Sequence, residues 1–209
     1  LDDTIQDILI RTKRMQGYKM KIVNVKVYDL SRSIKASKYP MAIDTESCTE
    51  EITDTVIKLG SSNKGEGHDN MLNGILVAFD LTFSNKAWIE MERYHFVEFV
   101  SSQSTMHRIT QFELKEQCNA YVDDRIIEIV QEKINLYNTL EDKSCETAKK
   151  LYLEILYNIP SGFELTARLT TNYRQLKTIY SQRKNHRLPE WRLFCDWIVT
   201  LPRFRKLCL

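Results

Sequence analysis

The chain has 209 residues, 43% of them hydrophobic, which is length enough for one domain with a sizeable core and excludes disorder as the main state. Its 30 basic residues nearly balance 28 acidic ones, so the net charge is +2 and the Lys and Arg excess that marks binding of a nucleic-acid polymer is missing. No apolar run approaches the roughly 18 to 20 residues that span a bilayer, and nothing resembles a secretory signal. The expectation is a cytoplasmic protein with neither a membrane nor a nucleic-acid polymer as partner.

In chain order, Ile5, Ile8 and Leu9 recur at helical spacing between Thr4 and about Arg14, a short surface helix within an N-terminal extension of residues 1–19. Leu1 in place of an initiator Met points to a trimmed or processed start. From Met20 to Leu30 the β-branched Ile22, Val23, Val25 and Val27 predict a strand, with Pro40 in the turn region after it. Glu50 to Gly60 carries Ile52, Val56, Ile57 and Leu59 in an amphipathic helical pattern that stops at Gly60, and a polar loop runs from Ser61 to Asn70.

Met71–Phe83 and Trp88–Val100 are apolar, aromatic and separated by a polar turn; a helix or strand followed by a strand fits either. They are candidates for a buried sheet or a subunit contact anchored by Trp88 and Tyr94. Ile126, Ile129, Val130, Ile134 and Leu136 mark a long helix over Val122–Leu140, and a second follows over Cys145–Leu156. Thr171–Phe204 is helical in pattern, broken by a polar hinge over Lys184–Pro189. With no repeat, linker or low-complexity tract, residues 1–209 read as one domain of mixed α and β structure.

Cys48, Cys118, Cys145, Cys195 and Cys208 form no CxxC pair, which suits reduced thiols better than a disulfide framework. The four histidines are far apart and at no zinc spacing, so no metal is expected. There is no Gly-rich phosphate loop and no GxSxG nucleophile. Asp123 and Asp124 beside Arg125 read as a helix N-terminus.

Three stretches can carry chemistry. GHDN (Gly67–Asn70) and SSQSTMHR (Ser101–Arg108) are polar breaks beside apolar segments; the second offers Gln103, Ser104, Thr105, His107 and Arg108 as donors to an anion or a flat heteroaromatic ring, and equally fits a solvated loop. In Leu169–Arg192, helical spacing would set Arg174 and Thr178 four residues apart, with Lys177 and Arg183 further along, as a cationic face for a phosphate. The same pattern describes an ordinary amphipathic helix, and Asn172 can cap it or hold a ligand carbonyl.

Taken in order, GHDNMLNGILVAFDLTF, RYHFVEFVSSQSTMHR and LTTNYRQLKTIYSQRKNHRLPEWRLFCDWI resemble the flavin-dependent thymidylate synthases, in a divergent form like those of bacteriophages and some bacteria. A weaker match lies in SIKASKYPM, Ser33–Met41. The resemblance implies an α+β fold with a central, mostly antiparallel sheet flanked by helices, and a homotetramer with active sites shared between subunits. It implies FAD as cofactor, NADPH and methylenetetrahydrofolate as co-substrates, and dUMP or a related nucleotide as the acceptor of a one-carbon unit. It places His68, His107, Arg108, Asn172 and Arg174 at flavin, and Gln103 and Arg183 at the nucleotide. The family's Arg-His-Arg motif stands here as Met106, His107 and Arg108.

The chain departs from the family where the nucleotide is oriented and activated. Gln111, Glu113, Leu114, Glu116 and Cys118 stand at the serine, Asn-Glu, serine and arginine positions, and Leu156 stands at a further nucleotide-binding arginine. Losing two arginines removes charge-assisted contacts of roughly 1.5 to 3 kcal/mol each. Two readings stay open: a thymidylate synthase-type methyltransferase, and a nucleotide- or flavin-binding protein on the same scaffold that no longer makes dTMP.

Overall fold

The computed structural model describes residues 17–63 and 65–209; the helix expected over residues 4–14 lies outside them. Four strands, β1 (Ile22–Tyr28), β2 (Leu76–Ser84), β3 (Glu98–Ser102) and β4 (Glu164–Asn172), form one antiparallel sheet in the order β1-β2-β4-β3. The α+β class with a central antiparallel sheet is therefore what the chain adopts.

Side-chain alternation gives this sheet two unlike faces. On one, Val77, Phe79, Leu81 and Phe83 of β2 and Ala167, Leu169 and Thr171 of β4 are buried. On the other, Asp80, Thr82, Thr166, Arg168 and Thr170 are half-buried, and Val23, Tyr28 and Leu76 are 46–50% exposed. Polar ties lace that open face: Arg168 meets Asp80 at 3.1 Å and the Asn24 carbonyl at 2.9 Å, and the Thr82 and Thr166 hydroxyls lie 2.8 Å apart.

Among the described residues ten α-helices flank the sheet: α1 (Leu30–Ala36), α2 (Asp54–Gly60), α3 (Asn85–Glu92), α4 (Thr105–Arg108), α5 (Leu114–Gln117), α6 (Asp124–Thr139), α7 (Glu146–Tyr157), α8 (Tyr173–Arg183), α9 (Pro189–Ile198) and α10 (Phe204–Cys208). The buried sheet face receives an aromatic cluster, in which Phe79 stands 4.7 Å from Trp197, and Phe83 stands 5.4 Å from Trp88 and 5.6 Å from Trp191. Burial of each such side chain contributes about 1.5 to 3 kcal/mol, so α3, α8 and α9 are fixed to the sheet by the residues that the apolar pattern marks. A second core joins Ile127, Val130 and Ile134 of α6 to Leu151 and Ile155 of α7 over Phe163.

One expectation is corrected. Leu169–Asn172, read with the helical pattern that follows, is the end of β4, and the helix begins at Tyr173. The sheet's paired geometry overrides a spacing that short apolar runs share with helices. Of the readings open for Trp88–Val100, helix followed by strand holds: its first part is the end of α3, and Glu98 onward is strand. Trp88 and Tyr94 are core packing: the Trp88 indole N–H donates to the Leu165 carbonyl at 3.0 Å, and Tyr94 lies 5.7 Å from Trp191. All five cysteines are free thiols, with burial raising Cys118 to about 11 and Cys195 and Cys208 to about 12.

Candidate functional site

The polar loop before β2 carries His68 exposed and Asp69 buried. It closes through a short turn, Asn70–Asn73, whose Leu72 is fully buried, so the loop is held from below by the core. Asn172 ends β4 and caps α8, its side-chain oxygen accepting from the Gln175 N–H at 2.9 Å. That cap sets Arg174 in the first turn of α8, where its Nε meets Asp69 Oδ1 at 2.9 Å. Lys177, one turn on, reaches Asp69 Oδ2 at 3.1 Å. His68, Asp69, Asn172 and Arg174 therefore gather at the end of the sheet where β2 begins and β4 stops, with Leu76 paired to Asn172.

Beside them opens a groove of about 1420 Å³ between α1, α2 and the His68 loop. Arg32, Lys35, Lys38, Tyr39, Thr55 and His68 line it, bringing the SIKASKYPM stretch onto the wall facing His68. Gly74 stands at its floor, where a Cβ would overlap the Ser33 hydroxyl.

Gln103, His107 and Arg108 form a second group. Gln103 follows β3 and is locked to Thr166 by two bonds of 2.9 Å, its own N–H donating to the Thr166 carbonyl and its Oε1 accepting from the Thr166 N–H. His107 and Arg108 lie exposed on α4, which the Tyr152 hydroxyl secures by donating to the Met106 carbonyl at 2.8 Å. Arg108 reaches Gln111 Oε1 at 3.0 Å.

The two groups do not meet within one chain. From Thr166 to Asn172 is six steps along β4, about 20 Å at roughly 3.3 Å per residue. They flank opposite ends of the sheet.

Arg183 joins neither group. It lies at the C-terminal end of α8, its guanidinium 4.5 Å above the Tyr94 ring and 5.0 Å from that of Trp191. Glu90 of α3 faces it at 3.8 Å and faces His186 Nε2 at 3.3 Å. Burial holds the His186 imidazole below its ordinary value, against the pull of Glu90. The expected cationic face of α8 is thus split: Arg174 and Lys177 converge on Asp69, while Arg183 is packed among aromatic rings.

At the start of β4, Glu164 is 1% exposed and burial raises its carboxyl to about 7, with Glu190 adding like charge. Its Oε1 accepts from the Lys19 N–H at 3.2 Å, while Glu190 accepts from the Ser84 N–H at 2.9 Å. Among the described residues no group of three His, Cys, Asp or Glu side chains is arranged to hold a metal ion, and no helix is long and apolar enough to cross a membrane.

No protein-family model and no curated protein matches the sequence. Solved structures do match the fold. Thymidylate synthase X from Helicobacter pylori, in a crystal structure with FAD and dUMP, matches at TM-score 0.66 and 15% identity, over 90% of this chain and 95% of its own. The chain has the fold of the flavin-dependent thymidylate synthases. A second structure of the flavin-dependent thymidylate synthase from Helicobacter pylori, complexed with FAD and dUMP, gives TM-score 0.63 at 13% identity, covering 88% of this chain and 97% of that one. A UMP/dUMP methylase from Streptomyces cacaoi, bound with 5-Br dUMP, gives 0.57 at 14% identity, covering 92% and 93%.

Within this thymidylate synthase fold, sequence reasoning missed Asp69. The signal that marks it is chemical: α8 has Arg174 and Lys177 in its first turns and no acidic residue in its first turn, so the balancing acid has to come from elsewhere, and GHDN supplies one next to His68.

Proposed function

We propose that this protein is a flavin-dependent enzyme of the thymidylate synthase type, acting in the cytoplasm, that transfers a one-carbon unit from methylenetetrahydrofolate to dUMP or a related nucleotide, with FAD as cofactor and NADPH as reductant. The observation that carries this reading is the gathering of His68, Asn172 and Arg174 beside a large groove lined by both basic and acidic side chains. A cation in a first helical turn opposes the helix dipole, which is positive at that end, and such a placement suits a ligand bearing phosphates. The groove exceeds the roughly 300 to 1,000 Å³ of ordinary ligand sites and so has room for a dinucleotide; Arg32 and Lys38 are the cations it offers a pyrophosphate, since Lys35 is paired with Glu46 at 3.2 Å. Reduced flavin, when bound, supplies hydride to the transfer. His68 and Arg174 hold and orient it, and Gln103, His107 and Arg108 close on the ring and the nucleotide.

Because these two groups stand at opposite ends of one sheet, a complete site needs residues from two copies of the chain. That supports active sites shared between subunits, as in the homotetramer that the resemblance implies. Two copies apposed across the open sheet face, turned end for end, would bring the His68 end of each to the His107 end of the other and form two equivalent sites.

A second reading is favoured at one place. Leu114 and Cys118, at two of the family's nucleotide-activating positions, are 1% and 3% exposed, and Leu156 packs against the same core. Those positions have become interior, which favours a flavin- or nucleotide-binding protein that no longer makes dTMP. Titration of the purified protein with FAD, followed by tritium release from position 5 of labelled dUMP with NADPH and methylenetetrahydrofolate present, decides between them. FAD binding with tritium release supports the enzyme; FAD binding without release supports the second reading; no FAD binding overturns both in their flavin form.

A further inference from the structure

We propose that Asp69 is the positioning residue of the flavin-facing half-site, fixing through one buried carboxylate both the loop of His68 and the guanidinium of Arg174. The inference rests on the flavin reading above for its ligand. Its structural part stands on the geometry alone.

Arg174 and Lys177 are the cations of the first turns of α8, at the end where the dipole repels them, and α8 has no acidic residue in its first turn. Asp69 supplies the missing charge from a different segment. Its side chain is 6% exposed, and each carboxylate oxygen has its own cation, Oδ1 with Arg174 Nε at 2.9 Å and Oδ2 with Lys177 Nζ at 3.1 Å. A carboxylate so buried is stable only while paired, so the loop backbone around residue 69 is tied to the pairing.

The two cations then divide their work. Lys177 also donates to the Gly60 carbonyl at 2.8 Å and the Ser62 carbonyl at 2.6 Å, which with Asp69 occupies all three ammonium protons. It joins α2, the following loop and α8, and retains no donor for a ligand. Arg174 is 35% exposed and engages Asp69 through Nε; among the described residues its terminal nitrogens have no protein partner. The ion pair at Nε anchors the guanidinium beside the His68 loop and leaves its terminal nitrogens for the paired oxygens of a phosphate or pyrophosphate. Asp69 thus acts on the ligand through Arg174.

The test is a double-mutant cycle read by FAD titration. Asp69→Asn keeps the shape and removes the charge; it is expected to weaken FAD binding about tenfold, the scale of one charge-assisted hydrogen bond. In an Arg174→Ala background the same change is expected to alter FAD affinity less than about twofold, because the group through which it acts is gone. Equal losses in both backgrounds, or no loss in either, overturn the proposal. Should Asp69→Asn not fold, Asp69→Glu carries the same cycle with a smaller expected loss, about threefold. Hydrogen exchange on the FAD-free proteins separates this inference from the flavin reading. Asp69→Asn is expected to speed amide exchange in residues 60–72 more than elsewhere. If the wild type fails to bind FAD, the flavin reading fails while faster exchange confined to that segment supports the positioning role; unchanged exchange overturns it.

Discussion

Gln103 and Thr166 hold each other by two hydrogen bonds of 2.9 Å, one through the Gln103 backbone and one through its side-chain oxygen. The pairing fixes α4 to the start of β4, at the far end of the sheet from Asn172. It also leaves the Gln103 amide nitrogen without a partner among the described residues, in a position to donate to a nucleotide.

This split use of one side chain makes a specific prediction. Gln103→Glu keeps an acceptor for the Thr166 N–H and loses the donor, so thermal stability is expected to stay within about 2 °C while dUMP affinity falls about tenfold. Gln103→Leu is expected to lower both. Calorimetric dUMP titration and thermal melts of the two variants check this; equal dUMP affinity in Gln103→Glu and wild type would remove Gln103 from the nucleotide site.

Much of the fold was legible from residue pattern. The β-branched run before Tyr28, the long helix marked by Val130 and Ile134, and the stop at Gly60 each follow from local preference that the tertiary structure keeps, although Ile126, Ile129 and Leu136 of the same pattern are 45–55% exposed and Ile127 takes the buried position. Strand β4 was not recovered, although ELTARLTTN alternates. Its last residue, Asn172, is also the cap of the next helix, so the two periods overlap and the longer helical one dominates the reading. The site was half legible: GHDN and SSQSTMHR stood out as polar breaks, but the pairing of Asp69 with Arg174 joins residues far apart in sequence, which no local pattern encodes.

Arg183 is expected to matter for stability. Arg183→Ala removes the cation between Tyr94 and Trp191 and leaves the mostly buried Glu90 facing only His186. The loss is about 2 to 3 kcal/mol, given partial solvent access, or a fall in Tm of roughly 5 to 10 °C for a chain of this size. If the melt is unchanged and dUMP affinity alone falls, Arg183 serves the nucleotide instead.

Glu164 gives a pH dependence with a defined sign. Its carboxyl is raised from 4.5 to about 7 by burial and by Glu190, opposed by the Lys19 N–H. The folded state therefore holds the proton more tightly than the unfolded chain. The stability this group contributes is full below about pH 4.5 and is lost as pH rises through 7, by at most about 3 kcal/mol. Glu164→Gln, which mimics the protonated form, is expected to match wild type near pH 5 and to be the more stable protein at pH 8. Denaturant unfolding of both at the two pH values checks this; a wild type that gains stability over Glu164→Gln with rising pH contradicts it.

The central claim, a flavin and nucleotide site assembled from opposite ends of two sheets in two chains, is tested most directly by subunit complementation. Arg174→Ala damages one half-site and Arg108→Ala the other, and each alone is expected to bind FAD at least about tenfold more weakly than wild type. When equal amounts are unfolded together and refolded as mixed oligomers, some sites receive both intact halves, and a fraction of wild-type-affinity FAD binding is expected to return. A mixture that binds FAD no better than its two parents would show that the halves are not shared between chains.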